Sequence, residues 1–410
     1  MKKNLVLLIC TLILFPCLSL WAADVGLILD TTAGYSGSQG DIVSEKDGAF
    51  DYSGSLIPWF SDFSGNNGGI YFSASARADW KNKELTWIPE LLRTEVSWRS
   101  DSGEFKLGRM QYADPLGFIA NGLFDGAYIS MDMGGGSVSL GAWYTGLLYK
   151  ERANITMTQT ELELYNTALD YENFTDTYFA PRRVISALGW EHQGLFERAQ
   201  VQFTLLGQFD LAKENGLYSQ YAVGKLSLPI SFLVFDLGGC LEAIEFLEEY
   251  RFAAAGEFGV AWMFPAARLS VLGRYSGGVP EDEESKMTAF LPLSTVYQGE
   301  ILKARLSGIS VASLDYLGRF HQTLSAGVTA SCFMRSDLAT YSGYPVITGD
   351  DTGDDKYILG SELFGRVIWA PISEMQVSVG GGAFLPALGN VARNAPLLWR
   401  VEMNLIFALF

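Results

Sequence analysis

Long segments in which apolar and polar residues alternate are the feature that most constrains this chain. From Ile70 to Trp80 every even-numbered residue is apolar, whereas Arg77 and Asp79 fall among the odd-numbered ones. Successive side chains of a β-strand point to opposite faces, so such a segment has one apolar face and one polar face. The same pattern recurs through most of the sequence, and it predicts an all-β fold.

The length of these segments favours a membrane barrel over a soluble β-sandwich. Many run for about ten residues or more, and a tilted strand needs roughly 9 to 11 residues to cross a bilayer. Aromatic residues near strand ends are typical of the lipid headgroup level, and here they are Trp80, Trp98, Tyr112, Trp190, Phe264, Tyr275, Trp369 and Trp399. In hydrocarbon every backbone polar group must be satisfied internally, so the sheet has to close. The prediction is a transmembrane antiparallel up-and-down β-barrel.

Connections that alternate in length predict the topology of this barrel. Short turns separated by long polar loops are typical of short periplasmic turns and long extracellular loops. The alternation predicts about 18 strands, one of them over 302–316. Because 49–60 and 288–298 are the weakest segments, 16 strands remain the alternative. No linker is evident, so residues 24–410 are predicted to form a single barrel domain.

The N-terminus predicts export. Lys2 and Lys3 precede an apolar run from Leu5 to Trp21, and small residues follow at Ala22 and Ala23. This arrangement is typical of a signal peptide, which we place at residues 1–23. A membrane anchor and a lipoprotein remain alternatives. Outside this segment only Cys240 and Cys332 occur, and we expect them to be unpaired.

Composition excludes several classes of function. The 29 Lys and Arg against 46 Asp and Glu give a net charge of −17, which argues against a nucleic-acid partner. With two histidines, His192 and His321, a His-rich metal site cannot form, and no cofactor or metal is predicted. Neither histidine has a serine two residues away on its strand face, so we expect no enzyme. A hydrolase built from distant residues stays open.

The last strand carries a resemblance to a known family. The segment from Leu397 to Phe410 alternates and ends on Phe, with Leu409, Phe407, Leu405 and Met403 as its better apolar face. It resembles the C-terminal signal of bacterial outer-membrane barrels. With the signal peptide and the strand pattern, the whole mature chain resembles an outer-membrane porin of Gram-negative-type envelopes.

A shorter stretch is similar to porin-like channels as well. Gly108 and Arg109 end the run from Phe105, a loop follows, and Asp125 to Tyr128 begin the next strand. Such channels place a Gly-Arg strand before their third loop. The resemblance implies outer-membrane lipid around the barrel, assembly machinery that reads the strand ending at Phe410, and a homotrimer.

A barrel of 16 or 18 strands is wide enough for a water-filled lumen, so passive passage of small hydrophilic solutes is the simplest function. The polar faces predict the lining residues, which are Arg77, Asp79, Arg93, Glu95, Arg99, Arg109, Arg268, Arg274, Lys303, Arg305, Glu362, Arg366, Arg400 and Glu402. Cations outnumber acids in this set, which favours a lumen suited to anionic groups. Alternatively, these arginines pair with lumen acids and only brace the wall.

The third outer loop, 113–124, is unusually apolar. Phe118 and Ile119 would form a sticky patch if they were exposed, so we expect the loop to fold inward and narrow the channel. Its predicted constriction residues are Asp114, Pro115, Phe118 and Asn121. Packing over the barrel rim is the alternative. Two other functions stay open, a transporter for hydrophobic substrates with a small plug and a structural or adhesin barrel.

Overall fold

The computed structural model describes most of the predicted barrel domain. The described residues are 23–39, 48–63, 67–81, 83–195, 198–212, 216–246, 248–280, 285–337, 357–386 and 397–410. The predicted signal peptide lies outside them, apart from Ala23.

Eighteen antiparallel strands form one sheet in the described part of the chain. They are β1 (Asp24–Gln39), β2 (Gly48–Asp62), β3 (Gly68–Lys81), β4 (Glu84–Ser100), β5 (Gly103–Ala113), β6 (Asn121–Met133), β7 (Gly136–Tyr144), β8 (Arg183–Leu195), β9 (Ala199–Asp210), β10 (Leu217–Ile230), β11 (Leu233–Phe246), β12 (Glu249–Met263), β13 (Ala267–Ser276), β14 (Ile309–His321), β15 (Leu324–Arg335), β16 (Ile358–Ile372), β17 (Met375–Pro386) and β18 (Leu397–Leu409).

Each strand pairs with its neighbours in sequence, and β1 pairs with β18 from Leu27–Leu409 to Gln39–Leu397, which closes the barrel. The predicted up-and-down barrel of 18 strands is therefore confirmed. The weak segment 49–60 is strand β2, whereas 288–298 forms no strand.

The outer face of the barrel is apolar, as alternation predicts. Leu237 and Leu241 on β11 are 57% and 67% exposed, and Phe258 beside Leu237 on β12 is 52% exposed. On β18, Met403 and Leu409 are exposed, while Glu402 bonds to Arg366. The odd-numbered residues of the last strand thus face outward. An exposed apolar band around a closed sheet is the surface that dissolves in lipid.

Three connections at one end of the barrel fold into its lumen. We call them L3 (residues 114–120), L4 (145–182) and L7 (277–308, described except for 281–284). L4 contains the short helices α1 (Lys150–Ala153), α2 (Gln159–Asn166) and α3 (Phe174–Tyr178). Among the residues described, no helix is long and apolar enough to cross a bilayer.

The core of the protein lies inside the barrel, between these loops and the wall. Phe118 and Ile119 of L3 and Phe290 and Leu293 of L7 are fully buried, and they belong to one apolar cluster with Val223 of β10. Burying each of these side chains stabilises the structure by about 1.5 to 3 kcal/mol. This gain holds the loops inward. The lumen at this end is therefore filled by loops and not by water alone.

One predicted strand begins later than expected. The sequence predicts a strand over 302–316, but β14 begins at Ile309. Lys303 has a left-handed backbone (φ 49°), and Gln298 pairs with Ala304 inside L7, so the chain turns there before it reaches the wall. Lys303 and Arg305 consequently lie on L7 and not on a strand.

A charge on the outer face tests this orientation. We expect Leu237→Arg to lower the free energy of unfolding by about 2 to 4 kcal/mol, because it places a cation in hydrocarbon. Leu272→Arg is the matched control, since Leu272 lies on the inner face of β13 beside a polar cavity. Equilibrium unfolding of both variants in lipid vesicles measures the difference. Equal losses in the two variants would contradict the assignment of faces.

Candidate channel lining and constriction

Asp114 shapes L3 into a compact turn. Its Oδ1 accepts the backbone N–H groups of Leu116 (2.8 Å) and Gly117 (3.1 Å), and its Oδ2 accepts those of Ile119 (2.8 Å) and Ala120 (2.9 Å). One buried carboxylate therefore accepts hydrogen bonds from four backbone donors that lie outside the strands. Hydrogen bonds to a charged acceptor are stronger than neutral ones, so L3 is held in one conformation.

L3 extends across the lumen. Leu116 lies against Gly238 of β11, where an added Cβ would come within 2.2 Å of the leucine Cδ2. β11 lies six positions from β5 around the wall. The Phe118 ring packs edge-on to Phe290, with a centroid separation of 6.5 Å, and the Arg274 guanidinium lies 5.4 Å from its centroid.

Hydrogen bonds join L3, L4 and L7 into one inner structure. Ser294 of L7 donates its N–H to the Ile119 carbonyl (3.0 Å), and its hydroxyl accepts the N–H of Asn121 (3.3 Å). Thr295 donates its N–H to the Asn154 carbonyl of L4 at 2.9 Å. Of the predicted constriction residues, Asp114, Pro115 and Phe118 lie in L3, and Asn121 is the first residue of β6.

Polar cavities remain between these loops and the wall, and two of them are lined by described residues. The aromatic cavity, of about 390 Å³, is lined by Glu104, Lys106, Tyr112, Trp143, Glu191 and Gln202 among others. The arginine cavity, of about 550 Å³, borders L7 and is lined by Arg268, Arg274, Lys303, Glu300, Asp315 and Glu362 among others.

The aromatic cavity combines ring faces with amides. The ring centroids of Tyr112 and Trp143 are 4.3 Å apart. The Glu191 carboxylate accepts hydrogen bonds from the amides of Gln200 (2.9 Å) and Gln202 (3.1 Å). With Glu104 also present, this cavity is not cationic.

Acidic residues of the arginine cavity already form hydrogen bonds or ion pairs within the protein. Glu362 accepts the backbone N–H groups of Glu300 (2.7 Å), Ile301 (3.1 Å) and Leu302 (3.0 Å), so it holds L7 against the wall. Arg268 lies 3.2 Å from Asp315. Arg274 bonds to Glu257 (3.3 Å) and Gln298 (3.1 Å). The lone pairs of Glu362 are thus directed at L7, while the cationic groups still line the cavity.

Most other predicted lining residues form ion pairs along the inner wall. The pairs are Arg77 with Asp79 (2.9 Å) and Glu90 (3.2 Å), Arg93 with Glu95, Arg99 with Glu104 (2.9 Å), Arg366 with Glu402 (2.9 Å), and Arg400 with Asp51 (3.0 Å) and Glu402 (3.0 Å). Arg305 donates to the Thr156 carbonyl of L4 at 3.0 Å. This pairing matches the alternative in which the arginines brace the wall.

Arg109 lies elsewhere than the sequence predicts. It shares a strand face with Phe105 and Leu107, which are 43% and 52% exposed on the outside of the barrel. It is itself only 5% exposed, because it forms a two-pronged ion pair with Asp125 (2.7 and 2.8 Å) and donates to the Leu147 carbonyl (3.0 Å). The prediction took every polar strand residue as inward, and Arg109 breaks that rule.

Several residues of the site were not anticipated from the sequence. Glu90, Glu257, Trp143 and Glu191 line the inner face or its cavities. A signal existed for Glu257, since it alternates with Ala253 and Ala255 on β12. Small residues on an inner face mark where loops pack closely against the wall.

Metal-binding and cysteine chemistry can be checked in the described part of the chain. No group of three His, Cys, Asp or Glu residues there could hold a metal ion. Cys240 and Cys332 are both free, as the sequence predicts. The His321 ring lies beside Thr323, with 3.1 Å between Nδ1 and Oγ1.

Comparison with solved structures identifies the fold. The chain is similar to OccK2 (OpdF) of Pseudomonas aeruginosa, with a TM-score of 0.60, 11% identity and coverage of 94% of this chain and 98% of that one. It is similar to OccK11 (OpdR) of the same organism, with a TM-score of 0.56, 10% identity and coverage of 94% and 96%. The outer membrane protein OpdK, also from this organism, gives a TM-score of 0.58 at 11% identity and coverage of 94% and 98%.

These neighbours place the chain in a structural class. It has the closed 18-strand fold of the Occ and Opd outer-membrane proteins. No family model and no curated protein matches the sequence.

Removing the Asp114 carboxylate tests how L3 is held. We expect Asp114→Ala to speed hydrogen exchange of the amides of residues 116, 117, 119 and 120 by about 30- to 150-fold, since hydrogen bonds to a charged group contribute roughly 2 to 3 kcal/mol. Asp132→Ala, at an exposed position of β6, is the control. Unchanged protection of these four amides would show that the carboxylate does not hold the loop.

Proposed function

We propose that the protein is an outer-membrane channel for passive passage of small hydrophilic solutes. The observation that carries the proposal is a closed wall with an apolar outside and two polar cavities inside, beside loops that narrow the lumen. A wall of this width encloses more space than side chains alone can fill. The similarity to outer-membrane porin structures supports the same function.

The arginine cavity suits small carboxylates. Arg268, Arg274 and Lys303 place three cationic groups around one space, and charge that lines a narrow pore selects the solutes that enter. OccK2 has been solved in complex with glucuronate and OpdK with vanillate. Arg268 and Arg274 also pair with acids, with Asp315 and Glu257, so we infer that a preference for anions rests on Lys303 and on the guanidinium N–H groups that still face this cavity.

The remaining alternatives differ from this proposal in what they predict for flux. A structural or adhesin barrel requires no passage of solutes. A transporter for hydrophobic substrates would keep its lumen closed to sugars. Recognition of the strand ending at Phe410 by assembly machinery and a homotrimeric state stay predictions from the resemblance.

Solute entry into proteoliposomes tests both the channel and its preference. We expect glucuronate entry, relative to glucose entry, to fall by roughly three- to tenfold in Arg268→Ala/Lys303→Ala, because electrostatic attraction in the cavity is lost. Lys106→Ala removes a cation from the aromatic cavity and is the matched control.

Two outcomes would contradict the proposal. Entry of neither solute through the unchanged protein would argue against a channel. An equal effect of the double variant and of Lys106→Ala would argue against the arginine cavity as the carboxylate path.

A further inference from the structure

The wall of the barrel is incomplete between two strands. β4 pairs with β5 only from Thr94–Arg109 to Ser100–Gly103. Above Thr94, β4 continues to Glu84 with β3 as its partner, and β5 continues to Ala113 with β6 as its partner. We call the space between the β4 edge at 87–93 and the β5 edge at 110–113 the β4–β5 gap.

A β-bulge lies where the two strands separate. The β3–β4 register shifts between Phe72 and Ala74, opposite Leu91 to Thr94. There the Ser73 hydroxyl accepts the N–H of Arg93 (3.1 Å) and donates to its carbonyl (3.4 Å). A bulge bends its strand, and this one turns the upper half of β4 away from β5.

The β4–β5 gap lies at membrane depth. Trp87 and Trp98 are exposed on the outside of β4, at 56% and 59%, and mark the two ends of its apolar band. Eleven residues at about 3.3 Å each, tilted by about 40°, span roughly 28 Å, close to the height of such a band. The gap begins just above Thr94 and therefore occupies the upper part of the hydrocarbon region.

Side chains close this gap, and not a strand. Three alternate carbonyls on the free edge of β4 accept hydrogen bonds: Trp87 from the Tyr171 hydroxyl, Pro89 from the Tyr178 hydroxyl (2.6 Å) and Leu91 from Arg109 (2.5 Å). Pro89 has no N–H, as is common on an edge strand.

L4 fills the gap, and the polarity of the side chains changes from the outside of the wall to the lumen. On the outside, Trp87, Leu91 and Leu147 are exposed and apolar. On the inner face of β4, which Ile88 shares with Glu90, Tyr149 and Tyr178 cover Ile88, which is 2% exposed.

On the lumen side the surface is charged, since Glu90 lies 3.2 Å from Arg77 and 2.9 Å from Arg152. The passage from lipid to lumen thus changes from apolar to charged, which matches an amphipathic molecule.

The attachments of L4 are unequal on its two sides. Towards β8 to β10, the fully buried Arg183 donates two hydrogen bonds to Glu161 of α2 (2.7 and 2.9 Å) and one to Gln208. Towards β4, the loop offers two tyrosine hydroxyls at the strand edge, and on the lumen side Arg152 pairs with Glu90 (2.9 Å) and Glu151 pairs with Arg77 of β3 (2.8 Å). L4 is therefore held by a fully buried arginine on one side, and by two tyrosine hydroxyls and half-exposed ion pairs on the other.

Another free strand edge in the wall is covered by backbone and not by side chains. The upper edge of β12 is met by the backbone of L7, where Phe252 donates to the Lys286 carbonyl (2.8 Å) and accepts from Thr288 (2.8 Å). The β4 edge is instead capped by side chains that can leave without breaking a backbone ladder.

We propose that the β4–β5 gap is a lateral opening between the lumen and the outer leaflet, which L4 closes in this conformation. It gives amphipathic solutes a route into the lipid, with the polar end in the lumen and the apolar part in the gap. This route adds to the proposed channel and does not depend on the arginine cavity.

Labelling from the bilayer tests the opening. In a Cys240→Ala/Cys332→Ala background, Ile88→Cys places a thiol beneath Tyr178, and proteoliposomes are treated with a hexadecyl maleimide dissolved in the lipid. We expect Tyr171→Phe/Tyr178→Phe to raise the labelling rate at position 88 at least threefold. Ile185→Cys, equally buried on β8 where both neighbouring strands are paired, should stay unlabelled in either case.

Tyr221→Phe is the matched control variant. Its hydroxyl donates to the Leu291 carbonyl of L7 at 2.7 Å, at a place where the wall is continuous. It should leave labelling at position 88 unchanged.

An equal effect of Tyr221→Phe and of the double variant would overturn the proposal. So would a gain in labelling seen only with a water-soluble maleimide, because L4 would then open to solvent and not to lipid. Glucose entry into the same vesicles reports separately on folding and on the channel.

Discussion

Closure of the backbone hydrogen-bond ladder is the constraint on which the rest of the structure depends. In hydrocarbon an unpaired N–H or C=O group costs several kcal/mol, so a sheet at membrane depth cannot keep a free edge. Pairing of β1 with β18 removes the edge that eighteen strands would otherwise leave. Closure also fixes the diameter of the barrel, and that diameter leaves a space which loops, and not wall side chains alone, must fill.

The loops fill this space by the same physics that folds a soluble domain. Phe118 of L3 and Phe290 of L7 are buried inside the barrel as completely as any core residue, while the apolar residues of the strands face outward. The protein thus has an apolar outer surface and an apolar inner core, with the polar wall between them. Whatever passes must use the cavities that remain, so the loops determine the function more than the strand count does.

How much of this the sequence predicts depends on whether the signal is periodic. Period two predicts the strands and their outward faces, because alternation is a local property of each segment. It fails for Arg109, which lies on the outer face, where it forms an ion pair with Asp125 of the neighbouring strand. It fails also for Lys303, where a turn within L7 and not a strand sets the position. The apolar character of residues 116–120 did indicate burial, but not the partners, because Gly238 and Phe290 are distant in sequence and meet L3 only after closure.

The departure from ladder pairing at β4 follows from the same constraint. Since L3 is drawn into the lumen, the wall formed by β5 and β6 ends low, and the taller β4 keeps an edge without a strand partner. The cost of that edge is offset by phenols and a guanidinium, which reach single carbonyls one at a time. Opening a ladder breaks several backbone hydrogen bonds together, whereas separate side-chain bonds open locally and at lower cost. The β4–β5 gap, where the backbone ladder is interrupted, is therefore the part of the wall that can open without unfolding of the barrel.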